Sequence, residues 1–268
     1  MFAKINHVAI ISERYAISGK FYEAVFGMKS ADQLSPTNAI VVGDGYVGLN
    51  INPRYEARPA RLDHFGIEVS DVEIAYERLS SKYPRVEWLK RPANRPFAGI
   101  TTHDPDGNVF DLSQQKMDNR TDIYTAGEWK QDRYISHIAL RTLNADAMAR
   151  FYCEVFEFES LDKAAGDVNH YLSDGRVTLV LMPWHITDYA GTGLVSPSMD
   201  HIGFTVESMD KFKADVERVA GENVLLTAKA VGRGPEGKAR LAMAYKSCPL
   251  GQYYVADIDG VLISIKEK

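Results

Sequence analysis

The sequence predicts an α+β protein built from four βαβββ units in two tandem halves. Three observations carry that prediction. One phrase recurs: Asp63-His64-Phe65-Gly66-Ile67-Glu68-Val69 returns as Asp200-His201-Ile202-Gly203-Phe204-Thr205-Val206, with weaker versions at Asn6-His7-Val8-Ala9-Ile10 and Ser136-His137-Ile138-Ala139-Leu140. A second phrase, Phe21-Tyr22-Glu23-Ala24-Val25-Phe26, is echoed by Phe151-Tyr152-Cys153-Glu154-Val155-Phe156 about 130 residues on, the offset that also separates His7 from His137. Asp106-Gly107 and Asp259-Gly260 give hairpin signals near the ends of the second and fourth units, since glycine tolerates the positive φ of a tight turn.

Each element follows from local pattern. Residues 5–11 alternate and are rich in Ile and Val, as in a strand with one buried face. Ser12 offers an N-cap, apolar residues from Glu13 to Met28 recur at helical spacing, and Gly27 supplies a stop. Strands are expected near 31–34, 38–43 and 46–51, with Gly45 turning between the last two. The second unit repeats the order: strand 63–69, helix 71–81, then strands near 86–90, 99–103 and 108–113. The third has its helix over 144–156. The fourth has strand 200–206, helix 208–219, a Gly-rich loop over 231–237 and a final hairpin. Ser113 to Arg133 is polar and aperiodic, so the expected organisation is an N-terminal domain 1–115, a linker 116–132 and a C-terminal domain 133–268.

Composition narrows the function. A chain of 268 residues is long enough for two domains with their own cores. Its 45% hydrophobic and 25% charged content excludes disordered and fibrous classes. A formal charge of -5 provides no broad positive field for a phosphate backbone, so no nucleic-acid partner is expected and a small-molecule substrate becomes the default. No apolar run has the length of a signal peptide core or a membrane span, so a cytoplasmic protein without membrane association is expected. Cys153 and Cys248 are too few for a disulfide framework and lack the paired spacing of a zinc site. Cys153 lies in a helical pattern and reads as a small core residue; Cys248, before Pro249, reads as a loop residue without a role.

Four βαβββ modules in two pairs, each with a histidine on its first strand and two with a D-x-D-G hairpin near the end, resemble the vicinal oxygen chelate superfamily. That group includes glyoxalase I, extradiol ring-cleaving dioxygenases, and the fosfomycin and bleomycin resistance proteins. The resemblance covers nearly the whole chain apart from the linker. It implies two tandem glyoxalase/extradiol-dioxygenase-like domains whose mixed sheets curl into cups, with metal ligands on the first and last strands of the modules.

In the N-terminal cup the resemblance points to His7, His64 and Asp111 as metal ligands, with Asp111 where a glutamate is usual. Two imidazoles and a carboxylate suit ferrous iron with open positions for substrate and dioxygen, and are compatible with manganese, zinc, nickel or cobalt. A carboxylate facing two imidazoles in a buried cup needs a cation to offset its desolvation. The fourth family position falls at Leu49 or Asn50, neither a carboxylate, which lowers the four-ligand glyoxalase I reading. His103 stands before the hairpin, either as an acid/base group or as an ordinary surface histidine.

In the C-terminal cup His137 and His201 take the equivalent places, but Ser264 stands where a carboxylate is expected. Tyr254, Asp257 and Gly260 resemble part of the extradiol signature, in which a tyrosine hydrogen-bonds the substrate oxygen. The preceding histidine, a proline at Ile258 and a glutamate at Ser264 are missing. This cup is either a retired site kept for structure or a metal pocket in which water or halide replaces the carboxylate. His170 and His185 read as surface or core residues, and the 231–237 loop as a flexible connection or a pocket cover. The expectation is thus a divalent-metal oxidoreductase resembling extradiol dioxygenases and acting on an aromatic diol or other vicinal-oxygen substrate. The alternatives are a glyoxalase-like lyase or isomerase and a non-catalytic binding or resistance protein. A homodimer is compatible with the family pattern.

Overall fold

A computed structural model describes residues 2–30, 39–92, 99–116, 131–192 and 196–268. The first half contains β1 (Ala3–Ser12), α1 (Tyr15–Phe26), β2 (Lys29–Ser30), β3 (Ile40–Gly43), β4 (Gly48–Pro53), β5 (Arg61–Val69), α2 (Val72–Lys82), β6 (Trp88–Lys90), β7 (Ile100–His103) and β8 (Val109–Gln114). The second contains β9 (Tyr134–Thr142), α3 (Ala145–Phe156), β10 (Glu159–Ser160), β11 (His170–Ser173), β12 (Thr178–Pro183), α4 (Ile186–Thr192), β13 (Met199–Val206), α5 (Met209–Glu222), α6 (Gly234–Ser247), β14 (Tyr253–Ala256) and β15 (Leu262–Glu267).

These form two mixed sheets, ordered β2-β3-β4-β1-β5-β8-β7-β6 and β10-β11-β12-β9-β13-β15-β14. In each sheet the two modules meet through their first strands, β1 against β5 and β9 against β13, both antiparallel. Each first strand also lies parallel to its own module's last strand, as helical crossovers require. Two tandem glyoxalase-like domains with curled mixed sheets and helices are therefore present. The expected strand at 31–34 and most of the expected linker, 116–132, lie outside the described residues.

Strand alternation sends Val8, Ile10, Phe65, Ile67, Phe110 and Leu112 into the main core, and their counterparts Ile138, Leu140, Ile202, Phe204 and Ile263 join the same apolar cluster from the other sheet. One core thus lies between the two sheets, with helices inside it: α1 packs on α5 and α2 on α3. Phe26 stacks on Phe204 at 4.0 Å between centroids. The histidines occupy the opposite, concave faces. Cys153 packs against the core's edge, as expected of a small core residue.

Two expectations are corrected. Ser12 does not cap α1; the helix starts after Arg14 without a side-chain cap, and Ser12 Oγ accepts from Arg14 N instead. The 231–237 segment is not a free loop: Pro235 lies in the first turn of α6, a 14-residue helix. The fourth module departs from βαβββ there, retaining only a Lys229–Ala256 bridge where a further strand would pair with β14.

Candidate metal centre

The register of each first-strand pair contains two slips, and they select the residue before every histidine. Asn6 is skipped between Ile5↔Ile67 and His7↔Gly66, and Asp63 between Ala9↔His64 and Ile10↔Leu62. Ser136 and Asp200 are skipped in the same way beside His137 and His201. A bulge of this kind interrupts strict alternation and re-aims neighbouring side chains. Here the skipped side chain reaches Nδ1 of the histidine after it: Asn6 Oδ1 lies 2.8 Å from His7 Nδ1 and Asp63 Oδ2 2.9 Å from His64 Nδ1. Asp200 Oδ2 is 2.7 Å from His201 Nδ1, and Ser136 Oγ 3.5 Å from His137 Nδ1.

The repeated His-x-Gly/Ala spacing has a matching cause. Gly66 faces His7 and Gly203 faces His137 across the strand pair, while Ala9 faces His64 and Ala139 faces His201. A Cβ on Gly66 would stand 2.0 Å from His7 Cε1, and one on Gly203 1.9 Å from His137 Cε1. The small residue two places after each histidine makes room for the histidine of the partner module.

With Nδ1 donating outward to Asn6 and Asp63, Nε2 of His7 and His64 faces Asp111, whose Oδ2 lies 3.9 and 3.2 Å away respectively. Thr101 hydrogen-bonds the other oxygen, Oδ1. The His64 Nε2 contact falls outside hydrogen-bond geometry although the atom is buried. Ligands about 2.0–2.2 Å from one ion lie roughly 3.0–3.5 Å apart at octahedral or tetrahedral angles. The His64–Asp111 spacing of 3.2 Å already meets this, and His7, at 3.9 Å from Asp111, would need only a small approach for the three to share a divalent metal. Without metal, burial opposes a charge on His64, but Asp111 and Asp63 outweigh it and lift its pKa to about 9. Burial also works against the Asp111 carboxylate, yet His64, His7 and Thr101 bring its pKa down to about 2. Burial lowers His7 to about 3 despite Asp111, with His64 adding to the depression. Without metal the Asp111 carboxylate is therefore offset by the His64 imidazolium, and a divalent ion would take the place of the His64 Nε2 proton. His64 and Asp111 side chains are 18% and 13% exposed, so the site is reachable.

Register also resolves the fourth position. Asp111 lies beside Gly66, two residues after His64; the equivalent neighbour of Ala9, two after His7, is Asn50. Leu49 points into the core instead. Asn50 Oδ1 is buried without a hydrogen-bond partner. His103 stands apart from this cluster: its Nδ1 donates to Asp104 O at 2.7 Å and its Nε2 accepts from Glu87 N at 3.1 Å, so both nitrogens are tied to backbone.

In the C-terminal cup His137 and His201 converge, with their Nε2 atoms 3.4 Å apart. Ser264 lies beside Gly203, the register equivalent of Asp111. Tyr254 is buried edge-on to His201, and its hydroxyl is directed to Ala244 O and Cys248 O at 3.3 and 3.4 Å. His170 pairs with Asp146 at 2.6 Å and His185 is exposed, both away from the cup. Sequence reasoning missed Asn6, Asp63, Asp200 and Cys248.

Paired βαβββ modules with inward-facing histidines on their first strands define a scaffold class, and comparison with known proteins assigns it. A family profile described as Glyoxalase/Bleomycin resistance protein/Dioxygenase superfamily matches residues 4–112 and 134–265, and the chain belongs to that superfamily. No protein of curated function matches the sequence. Among solved structures, the chain resembles the Mn(II)-bound glyoxalase from Novosphingobium aromaticivorans (16% identity, 99% of this chain, 82% of that one, TM-score 0.65). It also resembles the 2,3-dioxygenase LapB from Pseudomonas sp. KL28 (13%, 99% and 92%, TM-score 0.64). A third is 2,2',3-trihydroxybiphenyl 1,2-dioxygenase from Sphingomonas wittichii strain RW1 (14%, 100% and 91%, TM-score 0.65). No described helix is long and apolar enough to cross a membrane.

Proposed function

We propose that the N-terminal cup is the active site of a divalent-metal-dependent enzyme acting on a small vicinal-oxygen substrate, with extradiol-type cleavage of an aromatic diol as the leading reaction. The observation that carries this is the donor set itself: His7, His64 and Asp111 converge from one side, their outer atoms are anchored, and the cluster opens to solvent. Iron(II) is the ion this set suits best for dioxygen chemistry. When bound, the metal supplies Lewis acidity to two neighbouring substrate oxygens and to the charge that develops on them. The chain holds the geometry: Asn6 and Asp63 fix both imidazole tautomers, and Thr101 holds Asp111 Oδ1, leaving Oδ2 for the ion.

Asn50 favours a second reading. Its buried amide oxygen in the fourth register position would add a neutral donor to the shell, as suits a glyoxalase-like lyase or isomerase. Oxygen uptake by the iron-reconstituted protein with a panel of catechols separates the two. Uptake lost in His64→Ala supports ring cleavage, and anaerobic turnover of a hemithioacetal supports the second. No turnover of either kind by metal-loaded protein rejects both in favour of sequestration.

A further inference from the structure

We propose that the C-terminal cup holds a second metal centre of different donor chemistry, a thiophilic ion such as Zn2+ bound by His137 Nε2, His201 Nε2 and Cys248 Sγ. Ligand atoms of these three residues lie within 4.8 Å of one another, and all three residues are fully buried. The Nε2–Nε2 separation of 3.4 Å matches two nitrogens about 2.1 Å from one ion at a tetrahedral angle. Imidazole with thiolate is a soft set that selects zinc or monovalent copper over the hard ions a carboxylate favours.

Three independent features support a built site. His201 is oriented from outside by Asp200, itself fully buried and gripped by Arg240 at 2.8 Å and Arg141 at 3.3 Å. Carboxylate–imidazole pairs of this kind fix the tautomer of a ligating histidine. Ser264 Oγ, fully buried beside the Tyr254 hydroxyl, occupies the register position that Asp111 holds in the other cup, so no carboxylate competes with the softer donors there. Gly203 is kept bare by the His137 ring, so the strand spacing is set by that imidazole.

Cys248 comes from neither first nor last strands. It is the C-cap of α6, the helix that replaces the expected Gly-rich loop, and it packs among Ala139, Tyr171, Val180 and Met182 on the cup floor. Arg141 also binds Ser247 Oγ at 2.7 Å, and Asn169 binds Ser247 O at 2.7 Å, so the helix end is fixed to the sheet. Three protein donors leave one tetrahedral position for a water, but all three residues are buried, so the ion would serve to hold the fold rather than to meet substrate. The ion would pin α6 into the cup and join modules three and four; it takes no part in turnover at the N-terminal cup and does not depend on that assignment.

The test uses the full chain produced in cobalt-supplemented minimal medium, with Co2+ as a spectroscopic stand-in for zinc. A thiolate-to-cobalt charge-transfer band in the near ultraviolet is expected, lost in Cys248→Ser and His201→Gln together with one bound ion per chain. It should persist in Cys153→Ser and in Asp111→Ala, where only the N-terminal ion disappears. Zinc-edge X-ray absorption of the unmutated protein should show one sulfur neighbour, a readout that survives if a variant misfolds. A folded protein with no charge-transfer band and no sulfur neighbour overturns the proposal, as does a band that survives Cys248→Ser. A single bound ion showing the band would uphold it while removing metal from the N-terminal cup.

Discussion

Asp63 touches no proposed substrate or ion, yet its position governs the N-terminal centre, because it binds His64 Nδ1 while Arg58 holds its other oxygen at 2.7 Å. Asp63→Asn keeps shape and removes charge, so metal affinity should fall roughly 10–100-fold with all three ligands intact, measured by competition with a chromophoric chelator. Unchanged affinity would show that the imidazole is oriented by packing alone. The candidate histidines were legible in sequence, since His7 and His64 stand at fixed places in a repeated phrase, whereas Asp111 followed only from the family resemblance, its register equivalents being Asn50 and Ser264. The histidines' orienting neighbours stood one residue earlier in the same phrase and carried no sign of their role. Whether residue i−1 shares a face with its histidine depends on a one-residue slip against a strand some sixty positions away, and periodicity within one strand contains nothing of that pairing. Cys248 was illegible for a related reason: only the path of α6 carries it to the histidines.

At the scale of elements, Gly66 and Gly203 are the positions where β5 and β13 yield space to a neighbour's imidazole. Gly66→Ala puts a methyl inside the His7 ring's volume, so either the ring or the strand must move. The expected outcome is loss of the N-terminal ion together with destabilisation of about 1–3 kcal/mol, read from metal content and urea unfolding. Gly203→Ala should do the same to the other cup and spare this one; equal metal loss from both cups in either variant would contradict the assignment of each glycine to its facing histidine. The strand–helix order was readable because alternation and helical spacing are local. Helix α6 was misread because Gly232, Gly234 and Gly237 outweighed a helix-starting proline and the helix-forming run Lys238-Ala239-Arg240-Leu241-Ala242-Met243-Ala244 behind it.

Across the whole molecule, the four hairpin aspartates bind the halves by a pseudo-twofold rule. Asp174 accepts from Ile5 N at 2.7 Å and Asp44 from Ile135 N at 2.8 Å, each reaching the other half's first strand. Tyr22 donates to Asp257 at 3.1 Å and Tyr152 to Asp104 at 3.0 Å, each from the other half's helix. The Asp-Gly turns were visible in sequence; their second use was not, because it depends on how the two sheets face. Burial lifts Asp104 above its usual 3.8 despite hydrogen bonds from Asn108 and Tyr152. A raised folded pKa means its contribution is full below 3.8 and lost as pH rises through the folded value. Asparagine does not titrate, so the cost of Asp104→Asn, about 1–3 kcal/mol at acid pH, should shrink toward neutrality in chemical denaturation; a cost that grows with pH would refute it. The same symmetry makes a stronger prediction. Residues 2–116 alone would expose Tyr22 and Phe26, which are buried in the whole chain partly against the second half. They also hold both sides of the contact: Ile5 N with Asp44, and Tyr22 with Asp104, could pair between two copies as Ile5 with Asp174 and Tyr22 with Asp257 do within one. The isolated half should therefore sediment as a dimer, because folding alone would leave that apolar face in water. Tyr22→Phe with Asp44→Asn should weaken the association at least tenfold. A folded, monodisperse monomer at micromolar concentration would show that the shared core is dispensable to each half.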